Sequence, residues 1–163
     1  MQLVSVSPAL DRRAFETSPS LPRSDRDGFL HGADAFDARM GADARSGRLL
    51  AADDVVTRMR DRGCEQPLSR LARWIVGRDV VSVEWRGHTW LPLFQFEPAR
   101  MSLIAGVSAV VHELAGAFDE REIMEWFTTP NSCLRDMAPS DLVSIRPVLV
   151  LNAARLDRFI ACG

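Results

Sequence analysis

The spacing of apolar residues changes period three times along this chain. Residues 1–47 show no sustained period. Pro8, Pro19, Pro22, Gly28, Gly32, Gly41 and Gly47 break the segment, with serine and aspartate between them. It reads as an arm, flexible or ordered by a partner, with one short helix around Asp34–Met40. From residue 48 a helical period begins. Val55, Val56 and Met59 share one face, acidic Asp53 and Asp54 sit in the first turn, and Gly63 suits the C-terminal cap. Pro67 suits the first turn of a second helix, whose stripe is Leu68, Leu71, Ala72 and Ile75 and whose end is Gly77. Ser69, Arg70 and Arg73 then face outward.

Over residues 79–96 the period drops to two. Val81, Val83 and Trp85 alternate with Ser82, Glu84 and Arg86, the pattern of a half-buried strand. Arg86-Gly87 predicts a tight turn, and His88–Phe96 a returning strand broken by Pro92. From Met101 the helical period resumes. Leu103, Val107, Val110, Val111 and Leu114 predict a helix to about Ala117. Asp119 with Glu122 three residues on is a capping-box pattern for a further helix, which Pro130 stops. Pro139 predicts a short helix through Ser144, and Pro147 a last one through Ile160. The expectation is a mainly α chain with a small β-hairpin. It comprises an arm (1–47), a helix-turn-helix or winged-helix-like unit (48–97) and a C-terminal helical bundle (98–163).

Composition narrows this picture only slightly. Hydrophobic residues make up 47% of the 163, enough for a packed core and too many for wholesale disorder. No apolar run reaches the roughly 18 residues of a membrane span, and no signal-like start is apparent, so the expected compartment is the cytoplasm. The net charge of −2 neither demands nor excludes nucleic acid. Every basic residue is arginine, which suits a GC-rich coding sequence as well as it suits phosphate contacts. Cys64, Cys133 and Cys162 are far apart and odd in number, consistent with reduced thiols.

Candidate chemistry is sparse. The chain lacks GxSxG, HExxH, GxGxxG and phosphate-loop patterns, so no catalytic residue, metal site or cofactor is expected. His31, His88 and His112 have no ligand-spaced partner, and Cys133 has no adjacent base and is expected to pack. The second helix of a helix-turn-helix presents its outer face to the major groove. Ser69, Arg70 and Arg73 hold that face, and Arg78 and Arg86 flank the hairpin as candidate phosphate contacts. The same arginines equally fit a solvated surface.

Two segments carry a resemblance. Trp90-Leu91-Pro92-Leu93-Phe94-Gln95-Phe96 contains a P-x-F-Q-F pattern. Trp126-Phe127-Thr128-Thr129-Pro130-Asn131, with Leu134, Pro139 and Leu142, resembles W-L-x-x-P-N-x-x-L-x-G-x-x-P-x-x-L-L. Both are similar to the C-terminal toxin-binding domain of Xre/MbcA/ParS-type antitoxins, and together they span roughly residues 88–163. Arg135-Asp136-Met137-Ala138 stands where those proteins carry a glycine, and Phe127 replaces a leucine. The resemblance implies a non-enzymatic antitoxin of a type II toxin-antitoxin system. Such a protein binds and occludes a toxin enzyme, commonly a RES-domain enzyme that consumes NAD, and represses its own operon through the N-terminal part. It implies a homodimer or a hetero-oligomer with the toxin. Trp126, Pro130, Asn131, Leu134 and Pro139 would then be structural. The contact surface would be the last helix with Asn152, Arg155 and Arg158, arginines that also suit placement near a helix C-terminus. The alternative is a stand-alone transcriptional regulator or adaptor that kept the fold without a toxin.

Overall fold

The computed structural model describes the backbone of residues 23–163 and the side chains of residues 34–163. The arm's Pro8, Pro19 and Pro22 lie outside the described residues, as does the side chain of His31. Ala38–Gly163 forms one compact unit; the part of the first helix before it belongs to a separate unit.

That first helix, α1, runs Arg23–Arg45 and replaces the short helix expected at Asp34–Met40. Gly28, Gly32 and Gly41 lie inside it: glycine weakens a helix by about 1 kcal/mol but does not terminate one. In the compact unit Met40 is fully buried. Strand β1 (Leu49–Ala51) follows, then α2 (Ala52–Asp61), α3 (Pro67–Val76), β2 (Val83–Trp85) and β3 (His88–Pro92). The three strands form an antiparallel sheet of order β1-β3-β2, Leu50 facing Leu91 and Val83 facing Trp90. β1 stands where a helix was expected to begin; three residues are too few to show a period of two. The hairpin turn has positive φ at both Arg86 (51°) and Gly87 (76°), as a two-residue turn on right-twisted strands requires.

Gly63 (φ 82°) closes α2 as expected, its N–H donating to Arg60 O and that of Cys64 to Met59 O. α3 departs from expectation in its rotation. Pro67 and Leu71 are buried and Trp74 and Ile75 half-buried, whereas Leu68 is 66% exposed and Ala72 is exposed. The cause is Trp74, whose ring lies 6.2 Å from that of buried Phe96 and turns the helix toward it. Leu50, Val55, Met59, Leu71, Leu91, Phe96 and Met101 fill the core beneath.

The helix expected from Met101 begins only at Val107 (α4, Val107–Leu114). Met101 has φ 52°, Leu103 bridges back to Phe96, and Gly106 has φ 97°, so residues 101–106 are irregular. Then come α5 (Glu120–Thr128), α6 (Pro139–Leu142, shorter than expected) and α7 (Pro147–Cys162). The Asp119/Glu122 capping box is formed in both directions. Gly106 also meets the start of α7: a Cβ there would lie 2.6 Å from Pro147 Cβ. Gly106→Ala should therefore cost about 2–3 kcal/mol through strain at positive φ plus the clash. The midpoint of chemical denaturation checks this; an unchanged midpoint would refute the constraint.

Candidate functional site

Gln95 follows β3 in a single 3-10 turn (Leu93–Gln95) and is fully buried. Its side chain acts as a fourth strand. Val81 N–H donates to Gln95 Oε1 (2.8 Å) and Gln95 Nε2–H donates to Val81 O (2.9 Å). The glutamine of the P-x-F-Q-F pattern thus pairs backbone that the short β2 leaves unpaired. Beside it, Phe94 stacks on Phe127 of α5 at 4.9 Å, so the two resembling segments touch.

The second segment is a latch. Phe127 is fully buried and Trp126 half-buried against it, edge to face at 5.2 Å. Pro130 ends α5, and Asn131 Oδ1 accepts from Cys133 N–H (2.9 Å), capping a 3-10 turn over Ser132–Leu134. Leu134 and Pro139 are buried. Trp126 Nε1–H and Asn131 Nδ2–H converge on one atom, Asp157 Oδ2 of α7, each at 2.7 Å. Sequence reasoning missed Asp157, because it lies 26 and 31 positions away and belongs to no motif. Of the five residues expected to be structural, Leu134 and Pro139 are buried, Trp126 and Asn131 half-buried and Pro130 exposed. Cys133, expected to pack, is exposed.

The departure from the glycine pattern is visible in the backbone. Asp136, at the position of the missing glycine, has φ 59°, and Arg135 before it has φ 58°. Both occupy the left-handed region that glycine adopts without steric cost. Asp136→Gly should raise stability by about 0.5–1 kcal/mol. A thermal melt reads the change, and a lower melting temperature would contradict it.

On α7 the expected contact residues are exposed, and they share a partner. Arg158 Nε lies 3.0 Å and Arg155 Nε 3.5 Å from the carboxylate of Glu113 on α4, and Arg155 also donates to Asn152 Oδ1 (3.4 Å). Two guanidinium groups on one carboxylate leave this edge net cationic. The rest of α7's outer side is apolar: Val148 (70% exposed), Leu149, Leu156, Phe159 (74%) and Ile160. Isolated exposed apolar residues are ordinary, but a contiguous helical stripe marks an interaction surface.

On α3, Ser69, Arg70 and Arg73 all face outward, as expected. Exposed Leu68, Ala72 and Val76 accompany them at helical spacing. Arg78, half-exposed, pairs with Glu120 at the start of α5. The Arg86 guanidinium sits 4.5 Å above the Trp85 ring at the hairpin tip.

Ser108, Asp79 and His112 meet where α4 passes the end of α3. Ser108 Oγ–H donates to Asp79 Oδ1 (2.6 Å), and His112 Nε2 lies 2.9 Å from Gly77 O and 3.5 Å from the same carboxylate. The trio clamps α4 to the end of α3. An open cleft of about 720 Å³ between α1, β3 and α5–α6 is lined by Arg39, Asp43, Arg48, Phe94, Thr128 and Asp141, among others. Its arginines are engaged: Arg48 with Asp43 (3.0 Å), Arg39 with Thr128 Oγ1 (2.5 Å) and Glu125 (3.8 Å). Among the described residues no group of three or more His, Cys, Asp or Glu side chains could hold a metal ion, and no helix is long and apolar enough to cross a membrane. Compared with protein-family models, curated proteins and solved structures, the chain matches none.

Proposed function

We propose that this chain is an antitoxin-like, non-enzymatic cytoplasmic protein whose C-terminal helical part binds and occludes a toxin enzyme, with an N-terminal part that binds operator DNA. The observation that carries the reading is the Asp157 latch. The tryptophan and asparagine of the antitoxin-like pattern join no site of their own; both fix α7 in place. α7 in turn offers Asn152, Arg155 and Arg158 outward, a cationic edge suited to the anionic nucleotide pocket of an NAD-consuming RES-type enzyme. The DNA-binding part is supported by the order helix, strand, helix, helix, hairpin with β1 against β3, a winged-helix-like outline, and by the outward Ser69, Arg70 and Arg73.

The test is co-expression with the product of the adjacent gene. Capture of that product, and suppression of its toxicity, are expected. Arg155→Ala/Arg158→Ala should weaken suppression at least tenfold while the fold, read by circular dichroism, persists. Full suppression by the double variant would remove the proposed edge. The second reading, a stand-alone regulator, is favoured by the α3 face alone. It calls for salt-dependent promoter binding that Arg70→Ala/Arg73→Ala weakens, without any toxin partner.

A further inference from the structure

We propose that the open cleft between α1, β3 and α5–α6 is a binding site for a small amphipathic monoanion, an apolar body carrying one carboxylate. None of its residues belongs to the α7 edge or the α3 face, so the inference stands apart from both proposed contacts.

Every residue lining the cleft lies within the compact unit, Ala38–Gly163. Its volume, about 720 Å³, falls inside the roughly 300–1,000 Å³ of small-molecule sites. The floor is apolar. Leu49 stands opposite Pro92 in the β1–β3 register, and Leu93 and Phe94 continue the floor past the strand end. Phe94 is half-buried and backed at 4.9 Å by fully buried Phe127, which makes its ring a fixed platform. In the P-x-F-Q-F pattern, Gln95 and Phe96 serve the core. Pro92, Leu93 and Phe94 front the cleft instead.

The polar groups select the charge. Arg39 and Asp43 are one turn apart on the cleft side of α1, and Arg48 closes on Asp43 at 3.0 Å. This row sets two guanidinium groups against one carboxylate, a net charge of +1. Asp43 is taken up by Arg48. Arg39 is less well neutralised. Its hydrogen bond goes to a neutral hydroxyl, Thr128 Oγ1 (2.5 Å), and Glu125 stands 3.8 Å away, 70% exposed. A guanidinium carries five N–H groups. Thr128 takes one from Arg39 and Asp43 one from Arg48. A ligand carboxylate can accept two parallel N–H bonds from one such fork, each stronger than a bond between neutral groups. Thr128 Oγ1–H donates to Met124 O (2.9 Å), so it gives a ligand no donor. Asp141 on α6 is exposed, where salt and water screen it. A cation would be repelled by the row. A dianion would leave half its charge unpaired over an apolar floor.

Isothermal titration calorimetry of the full chain with 2-naphthoate and with decanoate tests this. Saturable one-to-one binding of at least one is expected, and the better probe tells a ring from a chain as the body. 2-Naphthamide and decanamide, which keep the body without the charge, should bind at least tenfold more weakly. Arg39→Gln should weaken the carboxylates at least tenfold and erase their advantage over the amides. Ala42→Trp, at an exposed lining position of α1, should fill the cleft and abolish binding with an unchanged circular dichroism spectrum. Failure of both carboxylates to bind overturns the proposal. So do amides that bind as tightly as the carboxylates, or binding that survives both substitutions, which would place the anion elsewhere.

Discussion

Gln95→Leu is expected to lower the stability of the folded chain by about 4 kcal/mol, a large share of the roughly 5–15 kcal/mol a domain has. The residue keeps its volume and its surroundings are apolar, so little is lost in packing. The loss is polar. Val81 N–H and Val81 O both end on the Gln95 carboxamide, inside the fold, at 2.8 and 2.9 Å. Leucine leaves both without partners, at about 1–3 kcal/mol for each buried group. No nearby residue replaces them, because Val81 lies before β2 and outside the sheet register. Urea denaturation at constant m-value measures the effect. A shift below 1 kcal/mol would mean that the segment before β2 relaxes into water and that Gln95 is dispensable.

Asp157→Ala should cost about 3 kcal/mol, and its consequence is positional as well as energetic. One carboxylate oxygen receives both the Trp126 indole and the Asn131 amide. Hydrogen bonds to a charged acceptor contribute about 1.5–3 kcal/mol each, and here both donors lose their acceptor at once. α7 would then be held mainly by its apolar side, Val150, Ala153 and Ala154. Trp126 fluorescence should change with the solvent exposure of the ring. Asp157→Asn, which keeps an accepting oxygen without the charge, should fall between the wild type and alanine. A wild-type melt for the alanine variant would show that the corner does not position α7.

The elements best read from the sequence are those whose signal is local. The capping box at Asp119/Glu122, the prolines opening α3, α6 and α7, Gly63 at the end of α2 and the turn at Arg86-Gly87 each need only neighbours in the chain. The misread elements depend on distant partners. α3 is rotated because Trp74 reaches Phe96, a pairing no helical wheel contains. Residues 101–106 carry apolar spacing compatible with a helix, yet the backbone is turned aside by left-handed Met101 and Gly106, the latter pressed against Pro147. The same division holds at the candidate site. Trp126, Pro130 and Asn131 were visible as a pattern, and Arg155 and Arg158 as surface charges. Asp157, Glu113 and the strand-like role of Gln95 were not, since each acquires its meaning only when segments more than a dozen residues apart meet.

The eight residues of α4 touch the end of α3 on one side, through Ser108 and His112, and the arginines of α7 on the other, through Glu113. Their apolar face, Val107, Val110, Val111 and Leu114, is wholly buried. The consequence concerns cooperativity. A helix this short is not stable alone, so it cannot stay folded if either flank melts. The sheet-bearing half and the helical half should therefore open together. In native-state hydrogen exchange the slowest amides of β3 and of α5 should share one opening free energy, as a single unfolding unit does. Two separate plateaus would instead make α4 a hinge.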